Sequence, residues 1–257
     1  MRRVRFAADG AVREGIALGQ GEELRLLDGG GRAFSPAAVV WLAPVRMHSV
    51  FGIALNYADH AGELSLAEPE QPALFLKPRQ SVIGHGGSIV APPGVRHMHY
   101  EAELAVVIGR AARRVSPQRA LEHVAGYTIA NDVTVRDFVT NVFRPPTKAK
   151  GFDTFCPIGP WLVDGIDDPA GLGVRTYVNG RLVQEGTTSD MVHDVPHLLS
   201  YLSEFTTLQP GDVILTGTPK GISPIVPGDR VRIEIDRIGA LENPVVVDPG
   251  PAEGEEM

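Results

Sequence analysis

Two glutamates stand two residues apart where an apolar run begins, Glu101 and Glu103 in YEAELAVVIG (100–109). Side chains at i and i+2 of a strand share a face, so the two charges would be neighbours beside a core. Three arrangements offset their repulsion. The pair can lie on the solvated face of an edge strand, form ion pairs with Lys or Arg of a neighbouring strand, or jointly ligate a hard divalent cation. A third carboxylate favours the cation, and Asp132 in YTIANDVTVRD (127–137) interrupts a strand-like run where an unpaired acid is expensive to bury. Asn131-Asp132 is equally a turn dipeptide. His97 and His99 share the odd-numbered face with the glutamates, but Pro92 to Gly94 delays the strand to about Met98, so at most one histidine is expected at the site. Oxygen-only ligation by Glu101, Glu103 and Asp132 suits Mg²⁺ or Mn²⁺, with positions left for water and substrate.

Other groups could do acid-base or anion chemistry. His60 and Glu63 in NYADHAGE (56–63) are spaced i, i+3, which on one helical turn lets the carboxylate orient the imidazole; a surface helix pair has the same spacing. RPPTKAKGFD (144–153) supplies Arg144, Lys148 and Lys150, as anion binders or as solvated charge. LTGTPKG (215–221) offers the Thr218 hydroxyl and turn amides to a carboxylate, or is simply a turn. No P-loop, dinucleotide fingerprint, nucleophile elbow or zinc-type cysteine spacing is present.

The elements that must position these residues are mostly strands. SVFGIAL, PALFLKP, ELAVVIG, GYTIANDVTV, DVILTGT and DRVRIEID are short β-type segments ended by Gly, Pro or Asp, and YVNGRLV carries the Asn179-Gly180 hairpin signal. Two PGD turns, at 210–212 and 227–229, precede strands. Helices are expected in SPQRALEHVAG, with Ser116 as N-cap and Gly126 as stop, and in DVPHLLSYLSEF, with Leu198, Leu199, Leu202 and Phe205 on one face. Residues 1–45 read as a small β-rich appendage, 46–247 as one catalytic domain, and 248–257 as a disordered acidic tail.

The bulk numbers bound the function. The chain has 257 residues, a net charge of −7 and no Lys/Arg run, which speaks against nucleic acid and anionic membranes as partners and for small-molecule chemistry. Cys156 is the single cysteine, so no internal disulfide forms, and no apolar run reaches a membrane-spanning length. These features predict a cytoplasmic protein.

The ordered set GIALNYADHAGE, LFLKP, YEAELAVVIG, VAGYTIANDVTVRD, KAKGFDTFCPIGPW, VNGRLVQEGTTSDM and LSEFTTLQPGDVILTGTPKG closely resembles the fumarylacetoacetate hydrolase family, over about residues 51–247. The resemblance implies a mostly β fold with a few helices, the family's mixed β-roll or barrel, and a homodimer. It implies a divalent metal at Glu101, Glu103 and Asp132, an active-site Lys150, an acid/base dyad of His60 and Glu63 on a mobile lid, and substrate contacts from Thr218, Arg144 and Asn56. Lys150 is preferred to Lys148 for its place before GFD. The motifs are most similar to members that isomerise or decarboxylate 2-oxo or 2-hydroxydienoic di- and tricarboxylates through an enolate in 4-hydroxyphenylacetate degradation. Hydrolysis of acylpyruvates or fumarylpyruvate, or decarboxylation of oxaloacetate, is the alternative within the family.

Overall fold

The computed structural model describes residues 1–63, 69–139 and 145–250. Its centre is the strand Ala102–Ile108, buried at every residue, a pattern that requires a partner on each edge and cover on each face. Val124–Asn131 pairs along one edge and Val213–Leu215 along the other, both antiparallel. An edge-strand position for Glu101 and Glu103 is thereby ruled out.

The sheet grows outward from this centre. On one side lie Cys156–Val163, then Arg2–Ala8 and Ala11–Leu18; on the other lie Val50–Ala54, paired in parallel, and Ala73–Lys77. It has 12 strands and ends on two different strands, so it does not close into a barrel. A second sheet of five strands runs in the order Arg181–Thr187, Gly173–Val178, Arg230–Ile235, Gly239–Val247, Ile89–Ala91. Its Val174, Ile233 and Leu241 share one core with Leu104, Val106 and Ile129 of the large sheet.

Helix Val195–Phe205 closes that core with Leu198, Leu199 and Leu202. The Asp194 carboxylate accepts from the His197 amide at 2.8 Å, satisfying one of the amides that a helix start leaves open. Phe205, expected on the same face, is instead 58% exposed and stacks edge-on with Tyr201. It is the last helical residue, beyond the reach of the core.

Local signals and tertiary contacts disagree at one other place. The stretch 116–126 forms only a turn of helix, Pro117–Ala120, and a 3₁₀ turn, Leu121–His123, and the Ser116 side chain makes no cap bond. Gly126 does not stop a helix; it lies inside strand Val124–Asn131, where an added Cβ would come within 2.4 Å of the Val163 carbonyl oxygen. Close approach of two strands sets that glycine. The Asn179-Gly180 hairpin forms as expected, with both residues at positive φ (53° and 80°) between Gly173–Val178 and Arg181–Thr187.

Residues 1–45 fold on their own small cluster of Val4, Phe6, Ala17, Leu26 and Phe34, yet they join the main sheet through Arg2↔Val163 and Arg3↔Leu162. Residues 251–257, most of the expected tail, fall outside the described residues.

Candidate metal and acid-base site

The backbone brings the three acids together. Asp132 follows strand Val124–Asn131 as Glu101 precedes Ala102–Ile108, and the Asp132 amide donates to the Glu101 carbonyl at 2.9 Å. Asn131 fixes this corner, its side-chain oxygen accepting from the Glu101 amide at 3.0 Å. One oxygen from each of Glu101, Glu103 and Asp132 then lies within 4.8 Å of the others, and all three residues are buried. No histidine belongs to the group: His97 turns away to Asp137, at 2.9 Å.

Ion pairing, another of the three arrangements open to the sequence, occurs within the same cluster. Lys150 Nζ bridges Asp132 and Glu101, the latter at 2.9 Å, and also donates to Thr134 Oγ1 at 2.8 Å. Arg136 holds the other Glu101 oxygen. Lys77, fully buried, donates to Asp132 Oδ1 at 2.6 Å and to the Phe155 carbonyl at 2.7 Å. Burial pushes the Glu101 carboxyl up, but the Lys150 and Arg136 charges outweigh it and hold it well below the usual carboxylate range. Burial opposes the Lys150 ammonium as well, and there the Asp132 and Glu101 charges win, raising it.

Glu103 is the exception. Its one hydrogen bond among the described residues comes from the Gly217 amide, at 2.6 Å. Burial, reinforced by the Asp132 and Glu101 charges, holds its carboxyl well above the usual range. A buried acid with no cation of its own beside two acids that have theirs is a donor set that fits a hard divalent ion. Gly217 is required for the contact: it sits at φ +90°, and a Cβ there would meet Asn56 Cβ at 2.9 Å.

The remaining expected residues gather round this cluster. Helix Ala58–Glu63 buries His60, whose Nδ1 lies 3.0 Å from Glu63 Oε2. Glu63 also accepts from the Gly221 amide at 3.1 Å, which docks the dyad on the 216–221 turn. His60 is near enough to act electrostatically on Glu101. A carboxylate partner fixes the proton on Nδ1 and leaves Nε2 as the free base. Thr218 is buried and accepts from Gln184 Nε2 at 2.9 Å, so its own proton remains for an incoming acceptor. Lys148 lies elsewhere, 4.3 Å over the Phe138 ring. Asn56 is spent on the scaffold: its amide donates to the Thr216 and His193 carbonyls and accepts from the His193 amide. Arg144 and the stretch 64–68, where the expected lid continues, lie outside the described residues.

Two groups were not singled out from sequence. Lys77 stood in the LFLKP motif and Arg136 in VTVRD, and only pairing across strands shows that both neutralise the acids. His99 is drawn down to about 4 by burial and then by the Arg136 charge, and its buried Nδ1 has no partner among the described residues. It is a neutral imidazole at the rim.

Comparison with known proteins adds to this geometry. Residues 49–246 match the family model described as "Fumarylacetoacetate (FAA) hydrolase C-terminal". A 4-hydroxyphenylacetate degradation bifunctional isomerase/decarboxylase from Salmonella dublin is 52% identical over 200 residues, 77% of this chain and 47% of the relative. The chain thus spans about half the length of the first curated relatives it matches. Among solved structures, a 2-hydroxyhepta-2,4-diene-1,7-dioate isomerase from Mycobacterium marinum superposes with a TM-score of 0.87 at 39% identity, covering 97% of this chain and 99% of that one. A fumarylpyruvate hydrolase from Pseudomonas aeruginosa, solved with Mn²⁺ and pyruvate, gives 0.75 at 29% identity, covering 91% and 97%.

Proposed function

Because the chain belongs to the fumarylacetoacetate hydrolase family, we propose that it is a divalent-metal-dependent isomerase/decarboxylase of 2-oxo or 2-hydroxydienoic di- and tricarboxylates in aromatic catabolism. The observation that carries this reading is the buried acid triad with Lys150 on one side and the His60–Glu63 dyad docked on the other. Glu101, Glu103 and Asp132 would hold Mg²⁺ or Mn²⁺, which when bound polarises the 2-oxo group of a substrate as a Lewis acid. Lys150 Nζ places a second positive charge beside the oxygen on which electrons accumulate. Thr218 Oγ1–H donates to a substrate carboxylate. His60 Nε2, its ring fixed by Glu63, removes the proton from one carbon and returns it to another, which is isomerisation, or, once it has taken a proton from solvent, delivers that proton to the carbon that CO₂ has left.

Charge supports an acidic substrate. Lys77, Lys150 and Arg136 balance the three carboxylates, so a divalent ion leaves the site with surplus positive charge to be met by carboxylates. Residues 46–247 form the catalytic unit in this reading, with 1–45 appended. A homodimer belongs to the proposal too, supported by the outermost strand Ala73–Lys77, which has one strand partner and exposes Leu76 at 59%. A cytoplasmic location completes it; no helix of the described residues is long and apolar enough to cross a membrane.

The test is a direct comparison of substrates with Mg²⁺ present. Isomerisation of a seven-carbon 2-hydroxydienedioate or decarboxylation of 5-oxopent-3-ene-1,2,5-tricarboxylate should exceed turnover of fumarylpyruvate, acetylpyruvate and oxaloacetate. Faster hydrolysis of fumarylpyruvate would instead give the dyad the role of activating water. His60→Ala should lower kcat far more than it raises KM, and an unchanged kcat would remove the dyad from proton transfer.

A further inference from the structure

A second cavity lies away from the acid triad, at the corner where the N-terminal strands meet the five-stranded sheet. It encloses about 670 Å³, inside the roughly 300–1,000 Å³ range of small-molecule pockets. Its walls are aromatic. Trp41 from strand Val40–Leu42 and Trp161 from strand Cys156–Val163 are half-buried, with ring centroids 6.3 Å apart and planes at 54°. The His85 ring meets Trp41 edge-on at 5.2 Å. His85 Nδ1 accepts from the Glu242 amide at 3.1 Å, which leaves Nε2–H as the ring's donor, and burial holds the imidazole below its usual range, hence neutral.

The rim is cationic. Among the described residues, Arg2, Arg175, Arg232 and Arg237 face two carboxylates on this wall, Glu234 and Asp236. Arg175 is bound to Asp236, and Arg232 to Glu234 and to Glu242 behind it. Arg2 and Arg237 have no carboxylate among the described residues: Arg2 donates to the Gly19 carbonyl at 2.6 Å and lies 4.7 Å over the Trp161 ring, and Arg237 donates to the Gly165 carbonyl at 3.3 Å. Two guanidinium groups that no carboxylate of the described residues pairs with, Arg2 over the Trp161 face and Arg237 elsewhere on the cavity wall, form a site of opposite sign on a chain of net charge −7.

We propose that this cavity is a second binding site, separate from the acid triad, for a small aromatic carboxylate whose ring lies against Trp41 and Trp161 and whose charge is met by Arg2 and Arg237. Arg175 and Arg232 are held by their own acids and shape the rim. Aromatic bulk without charge gains only the indole contacts, and charge without a ring gains only the guanidinium contacts, so affinity requires both in one molecule.

The chain supplies its own reporter, since Trp41 and Trp161 are its only tryptophans and both line this cavity. Tryptophan emission of the full chain is titrated with phenylacetate, with benzyl alcohol and inorganic phosphate in parallel. Phenylacetate should quench saturably, at concentrations at least tenfold below any response to the other two. The double variant Arg2→Gln, Arg237→Asn should weaken that response tenfold or more; asparagine suits the left-handed backbone at Arg237 (φ 64°), and an unchanged far-UV spectrum establishes that the variant is folded. Asp132→Asn, which alters the triad, should leave it intact, so failure of the proposed catalytic function and failure of this site are separately visible. Absence of saturable quenching, equal quenching by benzyl alcohol or phosphate, an unchanged response in the arginine variant, or loss of response in Asp132→Asn would each overturn the proposal.

Discussion

The same residue types are used in two opposite ways in this molecule. In the triad, Lys77, Lys150 and Arg136 meet Glu101 and Asp132 inside the protein, with Lys77 and Asp132 showing no side-chain exposure. On the five-stranded sheet, Arg230 and Arg232 meet Glu242 and Glu234 in the open, with the Arg230 side chain 60% exposed. Water screens the second set and solvates either partner when the other is lost. The first set has no such recourse: each charge depends on its neighbours, so its net balance, and not any single pair, decides whether the cluster is tolerable. A cluster balanced without metal is one that a cation can perturb.

Mutations that break this contrast should rank accordingly. Lys77→Met leaves a buried Asp132 oxygen without its ammonium and should cost about 3–5 kcal/mol, read as a fall in Tm of roughly 6–20 °C. If the melting point hardly moves, the cluster is more hydrated than its burial indicates. Gly217→Ala should come next: it strains a φ of +90° and drives a methyl against Asn56, displacing the amide that serves Glu103, with a loss of about 1–3 kcal/mol and weaker Mg²⁺ binding by calorimetry. Arg230→Ala on the open sheet should shift stability by about 0.5 kcal/mol or less, and 1 M salt should erase the shift. Equal effects from Lys77→Met and Arg230→Ala would abolish the distinction.

Three measurements sharpen it without mutation. Glu103 keeps its proton in the folded, metal-free protein at pH values where the unfolded chain has released it. The folded state then binds more protons, so metal-free stability should fall as pH rises from the ordinary carboxylate range through the raised folded pKa. Mg²⁺ takes the ionised form, and the Tm gain on adding it should therefore grow with pH across the same window. Cys156, buried beside the cluster, has its thiol pushed up to about 12 by burial, so alkylating reagents at neutral pH should leave the folded protein unlabelled and react on unfolding.

The parts legible from sequence were those in which one residue contradicts its local pattern. Glu101, Glu103 and Asp132 are acids within apolar strand segments, and Asn179-Gly180 is a turn pair between alternating flanks; each carries its reason within a few residues. Lys77 reads as an ordinary charge ending a strand, because its partner is supplied by Asp132, 55 residues on. Gly126 reads as a helix stop because the Val163 carbonyl that forbids a side chain there is invisible locally. Asn56, grouped with the substrate contacts from its motif, makes its bonds to the backbone near Thr216 and His193, again far along the chain.

The long-range pairing has a consequence for the order of assembly. Val50 pairs with Val213, Arg2 with Val163, and Glu103 receives its one amide hydrogen bond among the described residues from a position 114 residues later. The strands of Arg2 and Val50 each find one neighbour close by, Ala11–Leu18 and Ala73–Lys77, but the second only about 160 residues later, and closing such wide loops is slow. The acids and the lysines are made first, yet an amide that supports Glu103 arrives only with Gly217, so the site is finished only after that residue has been added.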